Sequence, residues 1–188
     1  HDFAFSKFDC NSNITFLFYN KSVNLLKILF MVFHFPPISG GGVIVITGIA
    51  NTLAELGHDV TIITPKLNWK GEKYNPEINK KINIIKVDIP SESNMKIAAR
   101  LCYPNMKKAG IDICKNKKID FILTIFHPFH LVPKAAVEVG KKLNIQTIIK
   151  IDDAFYEKSS GLKSIQRKIE KNINSKTLKN AKKNFCSK

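Results

Sequence analysis

Three of the five histidines, His34, His127 and His130, sit among aromatic and proline residues just after apolar runs. An imidazole exchanges protons near neutrality, because its ordinary pKa is about 6.5. In the segment His127-Pro128-Phe129-His130, His127 is therefore placed to orient or deprotonate a ligand hydroxyl. His127 and His130, three residues apart, are also two ligands toward a metal ion. No carboxylate or third ligand stands near them in sequence, so no metal is expected. A plain polar loop residue or helix cap is the competing reading of His127. His34 closes the first apolar run and could face the same side of the sheet as His127. His58 begins a strand at the opposite end and reads as structural.

The second candidate is the loop from His34 through Phe35, Pro36, Pro37, Ile38 and Ser39 to Gly40, Gly41 and Gly42. Glycines let the backbone pass close to a ligand, and a helix that follows offers free N–H groups to an anion. Gly40-x-Gly42 fits half of the dinucleotide motif, but Val45 takes the third glycine position and no acidic residue ends the second strand. It is not a phosphate-binding P-loop, since no Gly-Lys-Ser/Thr follows. A glycine-rich turn without a ligand remains the alternative. The third candidate is Asp152 with Asp153, which could position a hydroxyl or pair with Lys and Arg; a capping or solvated turn is the competing reading.

These residues need elements to hold them. From Lys27 onward the pattern alternates between buried-strand and helix signals. Ile28–Phe33, Val60–Ile63, Ile82–Val87, Phe121–Phe126 and Ile145–Ile151 read as strands, the near-continuous apolar runs being those of a parallel sheet covered on both faces. Val43, Ile46, Thr47, Ala50, Leu53 and Ala54 recur at helical spacing, with Gly57 as the stop. A helix over 91–118 is expected to be interrupted at Pro104 and Gly110, and another over 132–143. A basic helix carries Leu162, Ile165, Ile169 and Ile173 on one side, and 184–187 begins a last strand. The fold class is α/β: one doubly wound, parallel, Rossmann-like sheet over 27–188. Residues 1–26 stand outside the alternation as an extension with no assigned role. Ligands of such sheets bind at the carboxyl ends of the strands, near the switch in strand order.

The bulk numbers limit the partners. Lys and Arg number 30 against 15 Asp and Glu, a net charge of +15. An anionic partner is one reading of that excess, and compositional bias in a Lys-, Ile- and Asn-rich chain is the other. Aromatic residues lie in strand runs rather than interleaved with Lys on a stacking surface, which speaks against nucleic acid. Met95–Lys108 mixes Ile97, Leu101, Tyr103 and Met106 with Lys96, Arg100, Lys107 and Lys108, a composition suited to an anionic membrane interface; a solvated charged face is the alternative. No apolar stretch reaches the roughly 18 residues of a span. Four scattered cysteines without a Cys-x-x-Cys pair fit a reducing cytoplasm. Asn13 and Asn20 match the glycosylation sequon, as an Asn-rich chain does by chance.

Taken in order, Lys27-Ile28-Leu29-Phe30, Phe35-Pro36-Pro37, Gly40-Gly41-Gly42, Leu53-Ala54 and Gly57-His58-Asp59-Val60-Thr61-Ile62-Ile63-Thr64 resemble the opening of family 4 retaining glycosyltransferases. Asp120-Phe121-Ile122-Leu123, the His127 loop, the strand before Asp152, and the run from Glu170 through Asn180-Ala181-Lys182-Lys183 to Ser187 continue the similarity. The resemblance implies an enzyme of the GT-B fold, with two Rossmann-like domains and a cleft between them. This chain would be the N-terminal, acceptor-side domain. Gly41 and Gly42, with Gly40, would approach the donor diphosphate, and His127 would line the cleft near the reacting sugar. Asp152-Asp153 resembles the acidic pair or Arg-Asp at the equivalent strand end of relatives acting on lipid-linked saccharides, with Asp152 in place of the commoner residue. The partners implied are a nucleotide-sugar donor, which is a substrate rather than a cofactor, and a saccharide or lipid-linked acceptor. Cell-envelope polysaccharide synthesis at the inner face of a membrane is the expected setting. The family's donor-binding half is not among the 188 residues, so the chain alone is expected to be inactive, lacking half of the transition-state electrostatics. A non-catalytic remnant or a partner module of a split enzyme is the alternative.

Overall fold

The run after Lys27 forms β1 (Lys27–Met31), where Ile28, Leu29, Phe30 and Met31 have no solvent exposure. A strand with both faces buried needs a cover on each, and the two cores show how this is met. Leu29, Met31 and Phe33 point into one cluster, and Ile28, Phe30 and Val32 into the other, as the period-2 alternation of a strand requires. The computed structural model describes residues 25–68, 70–90, 94–127, 129–151 and 171–180.

Further along lie α1 (Gly41–Glu55), β2 (Asp59–Pro65), β3 (Asn83–Val87), α2 (Met95–Leu101), α3 (Tyr103–Asn116), β4 (Phe121–Phe126), α4 (Val132–Leu143) and β5 (Gln146–Ile151). The sheet is parallel, in the order β3-β2-β1-β4-β5. α1 covers one face through Ile46, Ala50, Leu53 and Ala54. The other is covered by α2, α3 and α4 through Ala98, Ala99, Met106, Ala135, Ala136 and Val139. Helices on both faces of a parallel sheet make the fold doubly wound and Rossmann-like. The order reverses between β1 and β4, whose register pairs Met31 with Thr124.

Several boundaries differ from the periodic pattern. The break expected at Pro104 falls at Cys102, and Pro104 occupies the first turn of α3, where a missing N–H costs nothing. Gly110 does not interrupt α3. It lies inside the helix, and a Cβ there would come within 3.1 Å of both Met31 and Val139, so glycine allows α3 to close on β1 and α4. α1 begins at Gly41, which makes Gly41 and Gly42 first-turn helical residues rather than loop. β3 is an edge strand and half-exposed. The sheet also reaches back to Leu26, whose carbonyl accepts from the Asp59 N–H.

α3 and α4 are joined by a polar cluster. Glu138 accepts from the Tyr103 hydroxyl and the Lys107 ammonium, and pairs with Lys134 at 3.0 Å. Lys134 also lies over the Tyr103 ring, 4.2 Å from its centre. Burial would raise the Glu138 pKa, but the hydrogen bonds from Lys107, Tyr103 and Lys134 outweigh it and hold it down to about 2.

Candidate functional site at the switch in strand order

Because β1 and β4 are neighbours, the segments leaving them meet. His34 follows β1 by three residues, and His127 follows β4 directly. The chain then turns back on itself, with the His130 N–H donating to the His127 carbonyl at 3.2 Å. That closure puts the side chains of residues i and i+3 together, and the His127 and His130 rings stack at 4.0 Å with an interplanar angle of 18°. His130 also meets His34 edge-on at 4.9 Å and Phe33 at 4.3 Å. The turn is held from outside by the Leu131 N–H, which donates to the Ala99 carbonyl of α2.

The electrostatics follow from crowding three imidazoles. Burial pushes the pKa of His34 down, with the His127 ring adding to it, to about 4. His130 is pushed down by burial and by both other rings, to about 2. Both rings are therefore neutral at pH 7. The Phe129 N–H donates to His127 Nδ1 at 3.3 Å. In the neutral ring that bond leaves the proton on Nε2, so Nε2 is a donor. Taking a proton at Nε2 would first require the ring's own proton to move to Nδ1, at the expense of the Phe129 bond. This arrangement suits orienting a hydroxyl oxygen better than abstracting its proton. Stacked rings also send their in-plane lone pairs along parallel planes rather than to a common point. Among the described residues, no group of three His, Cys, Asp or Glu is disposed to hold a metal ion.

The glycine turn shares this edge of the sheet, since it too follows β1. Ile38 pairs with Lys73, and the Tyr74 N–H donates to the Pro37 carbonyl, fixing the approach to α1. Gly40 has φ +152°, a value L side chains rarely adopt, and open space surrounds both Gly40 and Gly41 where a Cβ would stand. The α1 N-terminus has no side-chain cap and no acidic residue in its first turn. Its free N–H groups carry the positive end of the helix dipole. His34 and Gly40–Gly42 thus follow β1, and His127 follows β4, at the carboxyl ends of adjacent strands, while Asp152 and Asp153 lie outside the described residues. His58 is at the opposite edge, buried, with Nδ1 accepting from the Leu26 N–H at 3.2 Å.

Phe33 and the role of His130 escape a reading by residue type. The one local signal for His130 is the i, i+3 spacing across a proline-containing turn. Beside the site, α2 exposes Ile97 and Leu101. Among the described residues, no helix is long and apolar enough to cross a membrane.

No protein-family model matches the chain, and no curated protein matches it. Among solved structures it is similar to Phytolacca americana UGT2 complexed with UDP-2fluoro-glucose and pterostilbene, at 10% identity and a TM-score of 0.47, over 68% of this chain and 30% of that one. The apo form of the same protein matches at 11% identity and a TM-score of 0.45, with the same coverage. The chain spans less than a third of the length of those structures.

Proposed function

We propose that this chain is the acceptor-side domain of a two-domain, GT-B glycosyltransferase. In this reading it holds a hydroxyl-bearing saccharide at the histidine cleft while the glycine turn approaches the diphosphate of a nucleotide sugar. The observation that carries it is that His34 after β1 and His127 after β4 both pack on His130 at the switch in strand order, with the open, uncapped start of α1 also following β1. The resemblance of the Phe35–Gly42 and Gly57–Thr64 segments to family 4 supports the same reading and adds retention of configuration. His127 Nε2–H orients a sugar hydroxyl, and His34 shares that surface. The N–H groups of Gly41 and Gly42 face the donor phosphates, and Asp152 and Asp153 bind the acceptor. The donor-binding half is supplied by a further domain or a second chain, and the acceptor is a saccharide or a lipid-linked saccharide at a cytoplasmic membrane face.

The test is ligand binding by the 188-residue chain, followed by NMR. A disaccharide should shift the imidazole signals of His34 and His127 saturably, and UDP should shift the amides of Gly41 and Gly42. His127→Ala, which removes one neutral hydrogen bond of about 1 kcal/mol, should weaken saccharide binding several-fold. Unmoved signals at both places with saccharide and UDP in the millimolar range would refute the reading.

A further inference from the structure

The stretch between β2 and β3 is tied to the glycine turn at one end and to α1 at the other. Lys73 bridges to Ile38, and the Tyr74 N–H donates to the Pro37 carbonyl at 2.9 Å, just ahead of Gly40. Further on, the same stretch is clipped to α1 itself. The Asn51 side-chain amide donates to the Glu77 carbonyl at 2.8 Å, and its oxygen accepts from the Asn79 N–H at 3.0 Å. Between the two ties, Tyr74, Pro76 and Ile78 are half-buried while Lys73, Asn75 and Glu77 are exposed, the alternation of an extended chain lying on a surface. Ile78 packs on the core cluster that holds Ile46, Ala50 and Leu53 of α1. The ties leave little slack. Residues 73–79 span about 20 Å when extended, and α1 rises about 15 Å from Gly41 to Asn51. Pro76 stiffens the middle and keeps Asn75 extended.

We infer that Asn51 is a positioning residue: through residues 73–79, held taut along α1, it sets the pose of the Gly40–Gly42 turn without itself reaching that turn. The turn has few means of its own. Gly40 and Gly41 have open space where a Cβ would stand, and no side chain caps α1. Glycine backbone is the most permissive of all, so its pose has to be imposed from outside. Ile38 is the last buried residue before the glycines, and its backbone is what the stretch grips. Asn51 anchors the other end of that grip. The value of this role rests on the proposed approach of Gly41 and Gly42 to a diphosphate, but its first test needs no ligand, so the two can fail separately.

The test reads amide exchange and amide shifts by NMR in the whole chain, in Asn51→Ala, and in a variant with two glycines inserted between Asn75 and Pro76. Asn51→Ala removes both clip bonds; the insertion keeps them and adds about 7 Å of slack. In each variant the Tyr74 amide, measured against the Ile122 amide of β4, should exchange at least about tenfold faster than in the wild type. The Gly41 and Gly42 signals should move as well, although Gly41 lies about 15 Å along α1 from Asn51. Where UDP shifts these signals in the wild type, Asn51→Ala should need several-fold more of it. A wild type indifferent to UDP counts against the diphosphate reading alone, and the exchange data still decide the role of Asn51. Gly41 and Gly42 signals that stay in place in either folded variant would overturn the inference, even with faster exchange at Tyr74, because the stretch would then hold nothing at the turn. If Asn51→Ala does not fold, the insertion decides alone by the same criterion.

Discussion

At the scale of single residues, the histidine cluster couples site chemistry to stability. His34 is held at about 4, first by burial and then by the His127 ring, against an ordinary value of 6.5. Between those two values the unfolded chain binds more protons at this site than the folded one, so acid favours unfolding. The contribution is whole above about pH 6.5 and drains away as pH falls toward 4. His58, lowered by burial, acts in the same direction. Allowing for partial exposure, His34 should account for about 1–2 kcal/mol, or roughly 3–6 °C in Tm for a domain of this size. Thermal melts at pH 7 and 4.5 measure this, with His34→Phe expected to show a smaller acid loss than the wild type. Equal losses in the two proteins would mean that the His34 ring is not held neutral by its surroundings.

At the scale of elements, the close approaches of helix to sheet are the most sensitive points. α4 meets β5 at Gly140, where a Cβ would stand 2.1 Å from Thr147 Oγ1 and 2.6 Å from the Ile145 carbonyl oxygen. The backbone cannot give way easily, because the Ile145 N–H donates to the Gly140 carbonyl and Asn144 closes the helix in the left-handed region. Gly140→Ala is therefore expected to cost at least the upper end of the roughly 1–3 kcal/mol typical of overpacking, read as a lowered urea midpoint. A midpoint within error of the wild type would show that α4 can lift off β5 at no cost. Such a shift would also move the start of α4, and with it the turn that carries His127 and His130.

At the scale of the whole molecule, the net charge of +15 and the exposed Ile97 and Leu101 of α2 bear on where the domain works. Arg100 is exposed on the same short helix, which touches the histidine turn through Ala99. Two exposed apolar side chains with a cation beside them suit an anionic lipid surface. The chain should sediment with vesicles rich in anionic phospholipid in low salt and leave them as the Debye length falls from about 30 Å at 0.01 M to about 8 Å at 0.15 M salt. Equal binding to neutral and anionic vesicles would remove the electrostatic part of this picture, and no binding to either would remove the membrane altogether.

Much of the architecture was written locally. A four-residue apolar run with no polar break, such as Ile28–Met31, has few options other than a strand covered on both faces. The spacing of Val43, Ile46, Ala50 and Leu53 likewise commits them to one side of a helix. Parallel strands joined by helices then follow from chain connectivity, and the fold class with them. Gly110 was misread as a break because its reason lies in Met31 and Val139, far along the chain, not in its neighbours. The candidate site was legible only as parts. Sequence marks His34 and His127 as capable of proton chemistry and Gly40–Gly42 as a turn open to an anion. That the two histidines come together around His130 depends on β1 lying beside β4, a pairing between segments about 90 residues apart that no local pattern encodes. That His34 stays neutral depends on burial and the His127 ring, that His130 does depends on burial and both other rings, and the Phe129 N–H on Nδ1 favours His127 as an Nε2 donor. Residue type and spacing determined what chemistry was available; strand order and burial, which are non-local, decided where it converges and in which protonation state.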